Sequence, residues 1–191
     1  MPVFPQLAPP LPREGLPDPP RYDLWPPAVR SAWRLSGALV RCGPGLRGIG
    51  WPETPRVRLA AIADWLGHDR IASHLTAAWV WGAVREPRDP LQVSMLAGRR
   101  RPLASRADLR VYELRYGAED VERFGPFQVT RPMRTALDLL HDPEVFGRRE
   151  AVACRLLLLA DGGTAAMARH LAEHRRPHRR LAQARFRELV G

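Results

Sequence analysis

Proline clustering at the amino terminus is the sequence feature that most limits how this chain folds. Ten of the 20 prolines fall within the first 27 residues of a chain of 191. Each proline fixes φ and removes a backbone N–H donor, which excludes helix interiors and central strands from this stretch. Residues 1–24 are therefore predicted to be a disordered, proline-rich tail, with a ligand for a partner domain as the alternative. The rest of the chain is long enough to bury a core of ordinary domain size.

The charge balance points to a polyanionic partner. The chain has 30 basic and 20 acidic residues, for a net charge of +10, and every basic residue is arginine. A positive field of this size favours nucleic acid, although the codon bias of a GC-rich genome is an alternative source of the arginine.

The lack of lysine excludes P-loop and Schiff-base chemistry in their standard forms. With no paired acids or phosphate-binding loop in view, we predict a protein that is not an enzyme and needs no cofactor.

Cysteine and histidine give no sign of a metal site. Cys42 and Cys154 stand far apart without a C-x-x-C spacing, so both are expected to be free thiols. His170, His174 and His178 are spaced i, i+4, i+8, but the arginines around them would repel a dication.

No apolar stretch approaches the roughly 18 residues that span a bilayer, and the start lacks the pattern of a signal peptide. A cytoplasmic protein with no membrane partner is expected.

Residues 25–52 are predicted to form a helix followed by a β-hairpin. The helix covers residues 27–35, and two short apolar strands, 39–42 and 46–51, flank the turn at 43–45. A basic helix with a hairpin is what is left of a winged helix-turn-helix reduced to its recognition helix and wing. The alternative is a helix and hairpin that only pack on the main domain.

Arginines of this unit, with those of a later basic loop, are the predicted phosphate contacts. Arginine–phosphate contacts position a protein on DNA, whereas reading bases requires side chains in a groove, and the sequence supports the first better than the second. The predicted DNA-binding residues are Arg30, Arg34, Arg41, Arg47, Arg99, Arg100 and Arg101.

Residues 53–191 are predicted to form an α+β domain, a small sheet packed by several helices. Apolar periodicity indicates helices and alternation indicates strands. The predicted helices cover 54–66, 73–82, 132–141 and 148–160, and the predicted strands cover 91–95, 109–116 and 127–130.

Two pairs of residues in this domain resemble catalytic groups. Ser73 and His74 are adjacent, which suggests a nucleophile and its base, but we favour Ser73 as the cap of the helix that follows. Arg134 and Asp138 are four residues apart, and we favour an ion pair on the helix surface over a catalytic acid.

The carboxy-terminal segment concentrates the positive charge. Residues 169–187 contain seven arginines and one acidic residue, and they are predicted to be helical with an interruption at Pro177. Apolar anchors on the core are expected at Leu171, Leu181, Phe186 and Leu189. The interruption would then form an exposed basic corner that binds a polyanionic partner, with codon bias as the alternative. The residues of this corner are Arg175, Arg176, Arg179 and Arg180.

Three ordered segments resemble the AbiEi family of type IV toxin–antitoxin antitoxins, especially its actinobacterial members. The first is the wing-like SGALVRCGPGLRGIG, and the second is VRLAAIADWLGHDRIASHLTAAWVWGA, with its S-H-x-T-A-A pattern. The third is FGPFQVTRPMRTALDLL, which is similar to the family's G-x-P-V-T-x-P-x-R-T-x-x-D-L. In it the matching residues are Val129, Thr130, Pro132, Arg134, Thr135, Asp138 and Leu139. The resemblance covers roughly residues 37–190.

This resemblance implies a DNA-binding winged helix at the amino terminus and an α+β antitoxin domain after it. The winged helix would be truncated, because the proline-rich start stands where the family has its first two helices. The implied function is regulation of the protein's own operator and neutralisation of a nucleotidyltransferase-like toxin. The alternative function is a protein-interaction module that docks a toxin or another acidic partner without sequence-specific DNA binding.

Overall fold

The computed structural model describes residues 17–96, 106–144, 146–160, 163–174 and 176–191. Within these ranges the chain is an α+β protein with eight α-helices and seven strands. The helices are α1 (Pro27–Leu35), α2 (Pro55–Ala61), α3 (Ala63–Leu66), α4 (His74–Val80), α5 (Pro132–His141), α6 (Arg148–Ala160), α7 (Gly163–Glu173) and α8 (Arg179–Val190). The strands are β1 (Leu39–Cys42), β2 (Gly45–Gly48), β3 (Ile71–Ala72), β4 (Leu91–Leu96), β5 (Leu109–Leu114), β6 (Val121–Phe124) and β7 (Phe127–Thr130). The predicted fold class is confirmed.

The strands form two separate sheets. β1 and β2 make an antiparallel hairpin, and the other five strands form a mixed sheet in the order β5-β4-β3-β7-β6. β3 is the central strand although it has only two residues; it pairs antiparallel with β4 and parallel with β7. β4 and β5 run parallel, while β6 and β7 form an antiparallel hairpin at the other edge.

The predicted helix over 54–66 is broken in two. Thr54 caps α2 by accepting a hydrogen bond from the Val57 N–H, and the break falls at Ile62, whose φ of −107° and ψ of 18° leave the helical region. Every residue of 59–63 is buried. A straight helix with one buried face cannot bury five consecutive residues, so the break allows Ile62 and α3 to face the core as well.

The tail is shorter than expected. Residues 1–16, most of the predicted disordered tail, lie outside the described ranges, but Tyr22–Leu24 form a 3-10 turn in which Tyr22 is buried. The Tyr22 ring packs on the hairpin at Gly48, where an added Cβ would lie 2.7 Å from the Tyr22 hydroxyl. The prediction of an extended tail up to residue 24 is wrong for this turn, because burial of the ring fixes the chain where proline content alone favours extension.

Two apolar clusters form the core, and α4 contributes to both. Leu75 and Ala78 belong to a helical cluster built with α5, α6, α7 and α8. Trp79 and Val80 belong to the second cluster, which joins α2 and α3 to the sheet and includes Cys42 of the hairpin. The hairpin therefore shares a core with the main domain.

No single helix among the described residues is long and apolar enough to cross a membrane. The helical stretches Arg148–Leu159 and Gly163–Glu173 reach that length only as a pair, and they are bent by 107° relative to each other.

Candidate nucleic-acid interface

Helix α1 has the bounds that the sequence predicts, and it lies on the surface. Pro27 occupies its first turn, where a missing N–H costs nothing, and Gly37 ends it with φ of 76°, a conformation that favours glycine. None of its nine residues is buried, and it contacts the rest of the protein through β1. Most of its side chains are therefore exposed to solvent.

The hairpin holds its arginines in different environments. Its register pairs Arg41 with Leu46 and Val40 with Arg47, and Gly43 makes the turn with φ of 56°. An added Cβ on Gly43 would lie 2.8 Å from the Trp79 ring, so the turn is seated on the core.

A cleft of about 480 Å³ lies between α1, the hairpin, and helices α2 and α3. Arg30, Arg34 and Arg41, three of the predicted DNA-binding residues, line it together with Asp23 and Asp64. The structure therefore brings one arginine of the wing and two of the helix to the same site.

The two acidic residues of the cleft form their ion pairs with arginines that do not line it. Arg21 donates to Asp23 through Nε at 2.7 Å, which holds the pKa of Asp23 below its ordinary value, and Arg106 pairs with Asp64 at 3.1 Å. In the described part of the chain no ion pair joins Arg30 to an acid, and its Nε is shielded from solvent without a hydrogen-bond partner. Since a buried N–H without an acceptor is costly, an oxyanion in the cleft would stabilise this side chain.

Arg47 is not brought into this cleft. Its Nη1 donates to the carbonyls of Gly48 at 3.3 Å and Trp51 at 2.9 Å, and its Nε reaches a carboxylate oxygen of Glu53 at 3.3 Å. These contacts hold the turn that follows β2. The three other predicted DNA contacts, Arg99, Arg100 and Arg101, lie outside the described residues.

The arginines of the predicted basic corner near the carboxyl terminus have different roles. Arg175 lies outside the described residues, whereas Arg179 donates to the Leu171 and Ala172 carbonyls at 3.1 and 2.9 Å and so caps the end of α7. Arg176 is partly buried and Arg180 is exposed. The expectation that these side chains share an exposed corner is wrong for Arg176 and Arg179, because one turns inward and the other satisfies orphan helix carbonyls.

The apolar anchors of this carboxy-terminal segment differ from the prediction at one position. Leu171, Phe186 and Leu189 are buried as predicted, but Leu181 is 37% exposed. Arg185 is buried instead; its guanidinium donates to three carbonyls after α5, those of Leu140, Asp142 and Glu144, at 3.0, 2.5 and 2.7 Å. One of the seven arginines counted as surface charge is therefore a structural cap for another helix.

Ser73 does not cap α4. Its Oγ contacts His74 Nδ1 at 3.0 Å and accepts from Ser94 Oγ at 2.8 Å, and φ of 50° at His74 turns the two adjacent side chains toward each other. The cap comes from β4, because Gln92 Oε1 accepts from the Leu75 N–H at 2.9 Å. A long-range partner thus replaces the local one that the sequence suggested.

A buried polar network continues from Ser94 to α5. Tyr116 donates to Ser94 Oγ at 2.7 Å and lies 3.3 Å from Asp138, whose other oxygen accepts from Arg134 Nε at 2.8 Å. Arg134 also donates to Asp120 at 2.7 Å. The predicted ion pair between Arg134 and Asp138 exists, but their side chains are only 3% and 4% exposed, so its predicted place on the surface is wrong.

Burial governs the proton affinities in this network. It lowers the pKa of His74 to about 4, and it raises the pKa of Asp138 to about 6 against the opposing effect of Arg134. It also raises the pKa of Tyr116 above its ordinary range. Ser73, His74 and Ser94 are all buried, and we interpret the network as structural.

The three spaced histidines do not converge. His170 and His174 stack with ring centroids 4.1 Å apart, while His178 is the residue before α8 and has φ of 59°. Across the part of the chain that the structure describes, no group of three or more His, Cys, Asp or Glu could hold a metal ion.

Comparison with known proteins gives no further assignment. No protein-family model matches the chain, and no curated protein matches it.

Proposed function

We propose that this protein is a non-enzymatic, DNA-binding regulator of the AbiEi antitoxin type, which contacts its own operator and counteracts a nucleotidyltransferase-like toxin. The observation that carries the DNA-binding part is the cleft lined by Arg30, Arg34 and Arg41. The antitoxin part rests on the resemblance of the three sequence segments.

The geometry of the cleft suits a phosphate backbone. Arg30 and Arg34 are one helical turn apart on an exposed helix, and Arg41 is on the adjacent wing strand. Phosphate oxygens would supply the acceptors that these arginines lack within the described structure, since Asp23 and Asp64 are paired elsewhere. Such contacts fix the position of a protein on DNA and depend strongly on salt.

The experiment measures binding to a fluorescent duplex from the region upstream of the protein's own gene, at several salt concentrations between roughly 50 and 200 mM. Affinity of the wild type is expected to fall steeply with salt. In the triple variant Arg30→Gln, Arg34→Gln, Arg41→Gln, the slope of log K against log salt should be shallower by about 0.9 for each phosphate that is no longer neutralised.

A control variant removes one positive charge outside the cleft. Arg187→Gln changes an exposed arginine of α8, outside the cleft, and should leave the slope within experimental error. Absence of DNA binding by the wild type at low salt, or equal slopes for the triple variant and the wild type, would contradict DNA binding through this cleft.

A protein-interaction module is the second candidate, favoured by an apolar surface beside the same helix. Leu24, Val29, Trp33 and Leu35 are 72%, 39%, 46% and 87% exposed. Val29 and Trp33, four residues apart on α1, share one helix face, and neighbouring exposed apolar side chains mark protein contacts. On this interpretation the triple variant still neutralises the toxin in co-expression, and the wild type does not bind the operator.

A further inference from the structure

A second pocket, of about 550 Å³, opens on the opposite side of the polar network from Ser73. Tyr116 belongs to both, because its ring lines the pocket while its hydroxyl bonds to Ser94. The walls come from the 115–120 segment, the first turns of α5, helix α7 and Arg176. The charged and imidazole side chains of the lining are Arg115, Glu119, Asp120, Arg131, Arg134, His170, His174 and Arg176.

Arg176 brings into this pocket a positive charge that has no hydrogen-bonded or ion-paired partner among the described residues. Its side chain is partly buried. The nearest acids are engaged elsewhere: Asp120 accepts from Arg134 and from the Gly117 N–H, and Asp138 is paired with Arg134. Burial, followed by the field of Arg134, lowers the pKa of Arg176 against the opposing fields of Asp138 and Asp120.

His170 adds a polar atom without a partner. Its Nε2 is shielded from solvent and has no hydrogen-bond partner, and the ring is held by stacking on His174. Burial, together with the charges of His174 and Arg176, lowers the pKa of His170 and so favours the neutral ring. In the tautomer that carries its proton on Nε2, a neutral imidazole donates a hydrogen bond to an oxyanion.

We propose that this pocket binds a small phosphate-bearing ligand, with the Arg176 guanidinium and His170 Nε2 as donors to the phosphate. Arg115 and Arg131 stand at the rim, where a second negative charge of a phosphomonoester would be stabilised. Tyr116, Met133 and Leu137 of the lining would contact the organic part of the ligand.

The recess favours a small ligand over a DNA backbone. Arg176 and His170 lie partly buried behind the rim, while Arg34 and Arg41 of the first cleft are exposed. The volume lies in the range of pockets that take small molecules. Because none of these residues lines the first cleft, failure of phosphate binding here leaves the proposed DNA contacts untouched, and the reverse also holds.

The test is calorimetric titration of the full chain with inorganic phosphate, adenosine 5′-monophosphate and adenosine. We expect both phosphate-bearing probes to bind and adenosine to fail, because the donors recognise the phosphate. Arg176→Gln and His170→Gln should each weaken binding by about tenfold or more, and Arg176→Lys should retain part of the affinity. The matched control is Arg180→Gln, an exposed arginine four residues further on, which should stay within about twofold.

Circular dichroism shows whether each variant is folded, and Arg176→Lys keeps the test decisive if Arg176→Gln is not. The proposal is overturned if neither phosphate-bearing probe binds at concentrations up to about 10 mM. It is also overturned if Arg180→Gln weakens binding as much as Arg176→Gln does, because the effect would then come from net charge alone.

Discussion

Burial gives single residues of this protein roles that their spacing does not reveal. Arg134 and Asp138 satisfy the i, i+4 rule for a surface pair worth a few tenths of a kcal/mol. In the structure both are almost fully enclosed, and the guanidinium also bonds to Asp120 and to the Arg115 carbonyl. A buried charge must be satisfied on every side, so removing one partner costs far more than breaking a surface pair.

His74 makes stability depend on pH. Burial is the main cause that lowers its pKa to about 4, opposed by Asp142 and assisted by Arg110 and Arg134, whereas an exposed histidine in the unfolded chain titrates near 6.5. Between these values the unfolded chain binds the extra proton, so the contribution of His74 to stability is present at neutral pH and is lost as pH falls. We expect acidification from pH 7 to pH 4.5 to cost the wild type about 2–3 kcal/mol more than His74→Asn.

The measurement is urea denaturation of both proteins at the two pH values. Asparagine tolerates the positive φ at this position, and Asp138, which titrates with the opposite sign in the same range, is present in both proteins and cancels. An identical pH dependence for wild type and variant would show that His74 is not held neutral.

For helices and strands, local sequence signals are sufficient to predict an element where the residues that fix it lie close in sequence. Alternation ending at Thr130, followed by a helix-opening Pro132, predicts β7 and α5 with the observed bounds. The two-residue strand Ile71–Ala72 has no periodicity of its own; its extended form is imposed by β4 and β7, which the sequence does not reveal as neighbours. The short, charged Val121–Phe124 escapes prediction for the same reason.

In the candidate interface too, local sequence signals locate some of the residues and miss others. Proline and glycine signals locate α1 and the hairpin, and with them three arginines of the cleft. Arg47 donates to backbone carbonyls, and Arg176 lines a pocket. Both positions depend on contacts that only the folded chain makes.

Gly45 determines how closely β2 approaches α2. An added Cβ would lie 1.8 Å from the Ala61 carbonyl oxygen, so Gly45→Ala must push the hairpin away from the helix. We expect a loss of about 1–3 kcal/mol of unfolding free energy and weaker DNA binding, because Arg41 moves relative to Arg30. Urea denaturation and the duplex-binding assay measure the two effects.

Gly50→Ala is the matched control, since an added Cβ there meets nothing within 4 Å. Equal stability of the two alanine variants would mean that the hairpin does not pack closely on α2.

For the molecule as a whole, the hairpin and the main domain share one apolar cluster. Cys42 is buried in the same cluster as Leu59 and Trp79, and burial raises the pKa of its thiol to about 11. Segments 25–52 and 53–191, distinguished by sequence as winged-helix remnant and antitoxin domain, are therefore joined by a core contact as well as by the chain.

Deletion of residues 1–52 should consequently do more than remove DNA contacts. It uncovers the Trp79 ring and the Ala61 surface against which Gly43 and Gly45 pack. We expect the shortened chain to be destabilised by about 2 kcal/mol or more and to expose apolar surface. Thermal unfolding, with binding of a hydrophobic dye, measures both changes, and a shortened chain as stable as the full one would refute a shared core.

The pairing of β3 also bears on how the protein is made. Ile71 and Ala72 leave the ribosome early, and β4 follows as their first partner, but their parallel partner β7 is the last strand of the sheet to be synthesised. At about 5–20 residues per second, one edge of β3 stays open for a time on the order of seconds. The central strand of the sheet is thus the first to be synthesised and the last to gain its second partner. Until Thr130 has left the ribosome, the nascent chain carries an unpaired strand edge at the centre of the sheet.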